Sequence, residues 1–247
     1  MPSRSMRVAV ISDIHGNLHA LEAVLAAVDE ERPDAIWCLG DLVGYGPRPN
    51  RCCGAVAARA DLCLCGNHDL GVLGQLDLGD FSPDAAASAR WTREVLDGDA
   101  RAYLEGLQPQ ADAEGAALFH ASPRDPVWDY VLSYEAAQAS LDLTQAPVVL
   151  VGHSHVPLAL LLEDGRLEGG LAPDGTEAEL GRGRWLLNPG SVGQPRDGDP
   201  RGAFLLLDLE ARRASFRRVP YEVERTQAEI RERGLPDALA ERLAHGV

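Results

Sequence analysis

The chain has 247 residues, 45% hydrophobic and 25% charged, the proportions of a globular protein with room for a substantial core. Its formal net charge of −15 repels nucleic-acid backbones and anionic membranes, which excludes both as bulk partners. All 23 basic residues are arginine, so a lysine Schiff base and a P-loop lysine are ruled out.

The opening "MPSRSMRVAVISD" runs straight into a strand-like segment and makes a poor signal peptide. No stretch approaches the roughly 18–20 apolar residues of a membrane span, and we expect a cytoplasmic protein. Apolar runs then recur as "RVAVIS" (7–12), "AIWCLG" (35–40), "LCLCG" (62–66), "AALF" (116–119) and "VVLVG" (148–152). Such near-continuous apolarity predicts strands covered on both faces. Between them lie helical patterns. Over 18–31, Leu18, Leu21, Val24, Leu25 and Val28 form one stripe that Pro33 ends. "SPDAAASARWTREVL" begins with Ser82 as N-cap and Pro83 at the first helical position, and "SYEAAQASL" (133–141) opens in the same way.

The second part is strand-rich. "LALLLEDGRLEGGL" (158–171) predicts a hairpin around Asp164-Gly165. "RWLLN" (184–188), "AFLLLDL" (203–209) and "ASFRRV" (214–219) predict further strands, and a charged helical tail starts at about Tyr221. No Pro/Gly/Ser-rich linker divides the halves, so we expect one domain over 1–247. Strand–helix units followed by strand-rich units predict an α/β fold of two packed sheets with helices outside. The five cysteines (Cys38, Cys52, Cys53, Cys63, Cys65) contain no C-x-x-C pair and read as reduced, mostly buried thiols.

Each early apolar run gives way to polar residues. Asp13 and His15 come after the first, Asp41 after the second, Asn67, His68 and Asp69 after the third, His120 after the fourth, and His153 and His155 after the fifth. Five of the seven histidines thus occupy strand ends, and ligands of α/β sheets gather beyond the carboxyl ends of strands. Taken singly, each has a plainer reading. "GD" and "GNHD" are turn formers, Asp13-x-His15 suits a helix-capping turn, and "VGHSH" suits a buried strand running into a solvated turn. Alternatively, an extended His153-x-His155 puts two imidazoles on one metal-facing side, with Ser154 turned away. The shared placement favours one crevice over five coincidences. The donors Asp13, His15, Asp41, Asn67, His120, His153 and His155 are too many for one tetrahedral ion and suit two ions sharing a carboxylate, for which Asp41 is the natural bridge. Carboxylate, amide oxygen and imidazole together suit manganese, iron, zinc, cobalt or nickel. His68 is left over, and a non-ligand histidine beside a dinuclear site suits a general acid.

Taken in order, "DIHGN" (13–17), "GDLVG" (40–44), "GNHD" (66–69), "HASP" (120–123) and "GHSH" (152–155) resemble the motifs of calcineurin-like metallophosphoesterases. The resemblance spans about 7–190, and "NPGSV" (188–192) resembles a late strand-turn of that family. It implies a four-layer αββα sandwich of two mixed sheets flanked by helices. It also implies two divalent ions, manganese favoured, one held by Asp13, His15, Asp41 and His155 and the other by Asp41, Asn67, His120 and His153. The implied activity is hydrolysis of a small phosphoester or nucleotide by a metal-bridging hydroxide, with His68 as catalytic acid. Gly44 and Tyr45 stand where Ser/Thr protein phosphatases carry the aspartate and arginine of "GDxxDRG", so a protein phosphatase or phosphomonoesterase is the secondary reading. The wording resembles bacterial phosphodiesterases and diadenosine-tetraphosphatase-related proteins instead. Some relatives of this fold are protein-binding scaffolds lacking catalytic residues, but His68 is present here. An amidohydrolase reading of the His-x-His pair fails, because that pair usually lies at the first strand and a carboxylated lysine often bridges the metals. Tyr45, Trp128 and Tyr130 are candidates to stack a nucleobase, Arg124 and Arg196 to grip phosphates, and Asn17, at the start of the first helix, to support the site or meet a phosphate oxygen. The plainer readings are packing for the aromatics and an exposed surface position for each arginine.

Overall fold

The computed structural model describes residues 6–247. β1 (Arg7–Ile11), β2 (Ala35–Cys38) and β3 (Leu62–Cys63) alternate with α1 (Leu18–Glu31) and α2 (Pro49–Arg59). α3 (Asn67–Leu73), α4 (Pro83–Val95) and α5 (Gly98–Glu105) precede β4 (Gln110–Ala113) and β5 (Ala116–Phe119). α6 (Tyr134–Asp142) leads to β6 (Val148–Leu150), β7 (Leu158–Glu163), β8 (Arg166–Leu171), β9 (Glu177–Glu179) and β10 (Arg184–Asn188). β11 (Gly202–Asp208), β12 (Arg213–Val219), α7 (Val223–Glu232) and α8 (Asp237–Glu241) complete the order, followed by a short 3₁₀ turn, Arg242–Ala244. Among the described residues, no helix is long and apolar enough to cross a membrane.

The strands form two six-stranded mixed sheets, β3-β2-β1-β11-β12-β9 and β4-β5-β6-β10-β7-β8. β1, β2 and β3 run parallel, as do β5, β6 and β10, while the flanking pairs are antiparallel. Strand periodicity explains the layering. Val8, Val10, Trp37, Leu118, Leu150, Leu205 and Phe216 meet between the sheets. Their neighbours Ala9, Ile11, Ile36, Cys38, Phe204 and Leu206 face the other way and pack against the helices of the first half. On the far side, Val149, Leu160, Leu162 and Leu186 are covered by Ala137 and Leu141 of α6. The result is the αββα sandwich the resemblance implies.

Most predicted elements match closely, α1 and the Asp164-Gly165 hairpin among them. Two expectations change. "GNHD" is the first turn of α3 rather than a free turn, because the Asp69 carboxylate accepts the Gly66 N–H at 2.9 Å and caps the helix. The His153-x-His155 pair is not extended, since β6 stops at Leu150 and both histidines have φ of 60°. α2, α5, β4 and β9 carry weak apolar signatures and went unpredicted. The cysteines are free thiols, buried except for the half-buried Cys63.

Candidate metal centre

The five polar strand ends converge. Asp13, His15, Asp41 and His155 form one buried group, and Asp41, His120 and His153 form a second that shares Asp41. Asn67 joins the second group, its Oδ1 standing 3.3 Å from His120 Nε2. The backbone brings them together by sharp turns. Six of the ten non-glycine residues with positive φ among the described residues lie here: Asp13, His15, Asp41, Tyr45, His153 and His155. Each such conformation costs about 1–3 kcal/mol and persists only where surrounding structure imposes it. The imposing contacts are visible. Ser191 Oγ donates to the Asp13 carbonyl at 2.7 Å, Gly193 N–H donates to the same oxygen, and Asp69 accepts the N–H groups of Leu42 and Val43 at 2.9 and 3.1 Å. Asn188 donates to the Gly152 carbonyl and to Ser154 Oγ, which turns Ser154 away as expected.

The histidine tautomers are set by their partners. The Nδ1 atoms of His15, His120 and His155 lie 3.0, 2.8 and 2.6 Å from the carbonyls of Val43, Leu39 and Gln194. A carbonyl only accepts, so each Nδ1 carries the proton and each Nε2 presents a bare lone pair. Those lone pairs face one another or other acceptors: His15 Nε2 is 3.1 Å from His155 Nε2, and His120 Nε2 faces Asn67 Oδ1. Asp41 Oδ2 is 3.5 Å from both His15 and His120 Nε2, and Asp13 Oδ1 is 3.4 Å from His155 Nε2. Asp13 Oδ1, Asp41 Oδ2 and His153 Nε2 are buried with no hydrogen-bond partner. Acceptors pressed together with so few donors fit a set completed by cations, and the separations suit atoms sharing ions at bonds of about 2.1 Å.

Electrostatics agrees. Burial, then the neighbouring carboxylates, raises the Asp13 acid to about 7 and pushes Asp41 well above the usual carboxylate range. Burial likewise lowers His15, His153 and His155 well below the ordinary histidine range. A bare protein therefore favours uncharged donors here, and a bound cation reverses that preference.

His68 differs from the other histidines of the centre. Its backbone N–H donates to Asp41 Oδ1 at 2.9 Å, but its ring Nδ1 is buried and unpartnered. A Cβ at Gly44 would lie 2.5 Å from that Nδ1, so the glycine is what lets the ring stand there. Tyr45 tilts against the His68 ring at 4.4 Å and meets His15 edge-on at 4.7 Å. Phe81, unnoticed in the sequence, touches His68 edge-on at 5.2 Å and is itself met by Trp128 at 5.0 Å. Tyr130 stacks on His153 at 4.0 Å. Arg196 Nη2 reaches Tyr45 Oη at 3.4 Å and Gln194 Oε1 at 2.9 Å, while its Nε is buried and free.

For two of the substrate-facing candidates the structure favours the alternative reading. Asn17 caps α1 through its Oδ1, which also accepts from Thr226, while its Nδ2 donates to Gly193 and Tyr221. Its own N–H donates to the Ile14 carbonyl. Nothing is left for a phosphate, and Asn17 is a structural tie. Arg124 points to Asp129 on its own loop at 3.5 Å and is 42% exposed, the surface arginine of the plainer reading.

A sequence profile for the calcineurin-like phosphoesterase superfamily domain matches residues 6–212, and the chain belongs to that superfamily. Membership and the buried donor clusters together imply divalent metal ions. The chain is 34% identical over 247 residues to an uncharacterized protein of Methanocaldococcus jannaschii, covering 97% of this chain and 98% of that one. It is 31% identical over 145 residues to the symmetrical bis(5'-nucleosyl)-tetraphosphatase of Vibrio cholerae serotype O1, covering 56% of this chain. The match spans 52% of that tetraphosphatase, about half its length. Among solved structures, a metallophosphoesterase from Sphaerobacter thermophilus superposes with a TM-score of 0.88 at 41% identity, covering 99% of this chain and 100% of that one.

Proposed function

We propose that this protein is a dinuclear-metal-dependent phosphohydrolase that cleaves phosphodiesters or dinucleoside polyphosphates. The observation that carries the reading is the set of opposed, donor-free acceptors around Asp41, with the unpinned ring of His68 beside them. Asp13, His15, Asp41 and His155 would hold one ion, and Asp41, Asn67, His120 and His153 the other. When bound, the ions lower the pKa of a water and neutralise phosphoryl oxygens, with manganese the favoured metal.

The chain's own residues supply the rest. The backbone carbonyls of Val43, Leu39 and Gln194 fix three ligand rings so that no reorganisation is needed during the reaction. His68 is held neutral by burial first and by the Arg196 charge second. A substrate phosphate beside it supplies the negative charge that favours the protonated ring, which then delivers its proton to the leaving oxygen. Arg196, with a free buried Nε, offers a guanidinium edge to a phosphate oxygen. Phe81, Trp128 and Tyr130 line the His68 and His153 side with rings that suit a nucleobase or aryl leaving group. The tetraphosphatase relative supports the nucleotide branch of the reading. The space beside His68 taken by bare Gly44 counts against a protein-phosphatase type of site.

The test is turnover by manganese-loaded protein on bis-p-nitrophenyl phosphate and on diadenosine tetraphosphate, with metal content measured by atomic emission. Hydrolysis at two ions per chain is expected. A loaded protein that turns over neither these nor any other phosphoester sinks the proposal.

A further inference from the structure

Arg196 rides on a loop without secondary structure, and the far end of the chain is one of the elements that hold that loop. Gln194 is the junction. Its carbonyl accepts His155 Nδ1 at 2.6 Å, its N–H donates to Ser191 Oγ at 2.8 Å, and its Oε1 accepts from Arg196 at 2.9 Å and from Arg242 Nη1 at 3.4 Å. Arg242 opens the 3₁₀ turn after α8. A second tie lies close by, where the Gly198 N–H donates to the Gly246 carbonyl at 2.9 Å. Gly246 sits so tightly on Asp199 that an added Cβ would meet its backbone at 2.7–2.8 Å. The same segment also reaches Tyr45: Ile230, Leu235, Leu239, Ala240 and Leu243 form one buried apolar cluster with it.

The loop has its own anchor as well, since Asp197 pairs with the nearly buried Arg218 of β12. That pair fixes the residue after Arg196 but leaves open the direction of the guanidinium. Gln194 Oε1, at the shorter distance, sets that direction together with Tyr45 Oη, and Arg242 is the second donor that fixes Gln194. The C-terminal residues 237–247 lie beyond the stretch matched by the superfamily profile, yet they touch both Tyr45 and the Arg196 loop.

We propose that residues 237–247 form a positioning element for substrate phosphate, with Arg242 acting through Gln194 to aim Arg196 across the metal centre. The inference rests on the phosphohydrolase reading, in that Arg196 is taken to meet a phosphate. Arg242 is a positioning residue: it touches neither ligands nor reacting atoms. Its substitution should weaken phosphate binding without altering the chemical step.

The experiment compares Arg242→Met and Arg242→Lys in the manganese-loaded full chain, alone and on an Arg196→Ala background. KM for bis-p-nitrophenyl phosphate and the Kd for inorganic phosphate, by titration calorimetry, are measured together. Loss of a charge-assisted contact at this length should raise both about three- to tenfold in Arg242→Met, with kcat within about twofold. Arg242→Lys should recover part of the loss, and on the Arg196→Ala background Arg242→Met should add nothing. Unchanged KM and Kd in Arg242→Met, or an equal shift with Arg196 absent, overturns the proposal. Should Arg242→Met fail to fold, Arg242→Gln, which removes the charge and shortens the reach to Gln194, carries the same comparison. If wild-type protein turns over no phosphoester, the phosphate Kd still tests Arg242, so the two failures can be told apart.

Discussion

At the strand ends, Asp13, His15, Asp41, His120 and His155 are at most 1–2% exposed, their rings pinned by backbone carbonyls at 2.6–3.0 Å. Across from this floor stands a wall of His68, Tyr45, Arg196 and Tyr130, joined to one another and to the floor by ring contacts of 4.0–4.7 Å and by an Arg196–Tyr45 hydrogen bond of 3.4 Å, with Arg196 also bonded to Gln194 at 2.9 Å. The floor stores strained backbone and unmet acceptors, which a cation relieves. The wall has free nitrogens on His68 and Arg196 and few bonds to break. In the proposed reading the strained, tightly bonded floor serves the metals, and the more sparsely bonded wall serves the substrate.

The largest expected effect breaks the floor. Asp41→Asn should drop bound metal below one ion per chain and abolish turnover, because Asp41 Oδ2 stands 3.5 Å from both His15 and His120 and the ions supply several kcal/mol of catalysis. The metal-free variant should also be more stable than metal-free wild type, since an amide N–H₂ can donate to the bare Nε2 atoms. Full metal occupancy in Asp41→Asn would remove Asp41 from the bridge. Next in size is His68→Gln on the wall. It should lower kcat by about 10²–10⁴-fold while metal content stays near that of wild type. If metal is lost instead, His68 belongs to the floor and the comparison fails.

A third test reads floor strain as a function of pH in EDTA-treated protein. Folded Asp13 titrates at about 7, against 3.8 for the ordinary side chain, chiefly because it is buried. Between those values the folded state holds a proton that the unfolded state has released, so Asp13 destabilises the fold increasingly as pH rises through that window. Buried His15, His68, His153 and His155, with lowered pKa values, act in the opposite sense. The contribution is therefore read by difference. Asp13→Asn should gain stability over wild type as pH rises from about 4 to about 7, towards a ceiling on the order of 4 kcal/mol, and level off above. A difference that stays flat in urea denaturation across that range would show that Asp13 is not strained.

The floor was legible in the sequence as a set, whereas the wall was legible only residue by residue: His68, Tyr45, Tyr130 and Arg196 each stood out as candidates, with nothing to say that they meet. Floor residues interrupt apolar strands with Asp, Asn and His, a change of chemistry that any reading along the chain detects. Their left-handed backbones were hidden, because Asp and His tolerate positive φ without advertising it as glycine does. On the wall, Arg124 and Arg196 look alike as arginines in polar loops, and only the packing of residues distant in sequence brings Arg196 to Tyr45 and sends Arg124 to Asp129. Asn17 closes a motif, where a ligand and a helix cap look the same. Gln194 acts on His155 through its carbonyl, a role that no side chain records.

The smallest effect, and the sharpest on the boundary between the regions, concerns Tyr130. It is 45% exposed yet stacks on His153 with an interplanar angle of 24°, so it touches the floor from the wall. A stacked pair contributes about 0.5–1.5 kcal/mol beyond area burial, which corresponds to roughly a two- to tenfold change. If Tyr130 belongs to the wall, Tyr130→Ala should shift KM for diadenosine tetraphosphate within that range and leave metal content and the KM for bis-p-nitrophenyl phosphate nearly unchanged. If it belongs to the floor, the same substitution should loosen His153 and show first as a weaker second ion in a manganese titration, with both substrates affected alike. Its ring rests on a proposed ligand whose Nε2 has no hydrogen-bond partner, but its backbone lies in the irregular segment between β5 and α6, away from the strand ends that fix the floor. Loop placement and exposure both favour the wall, and substrate discrimination is the measurement in which that shows.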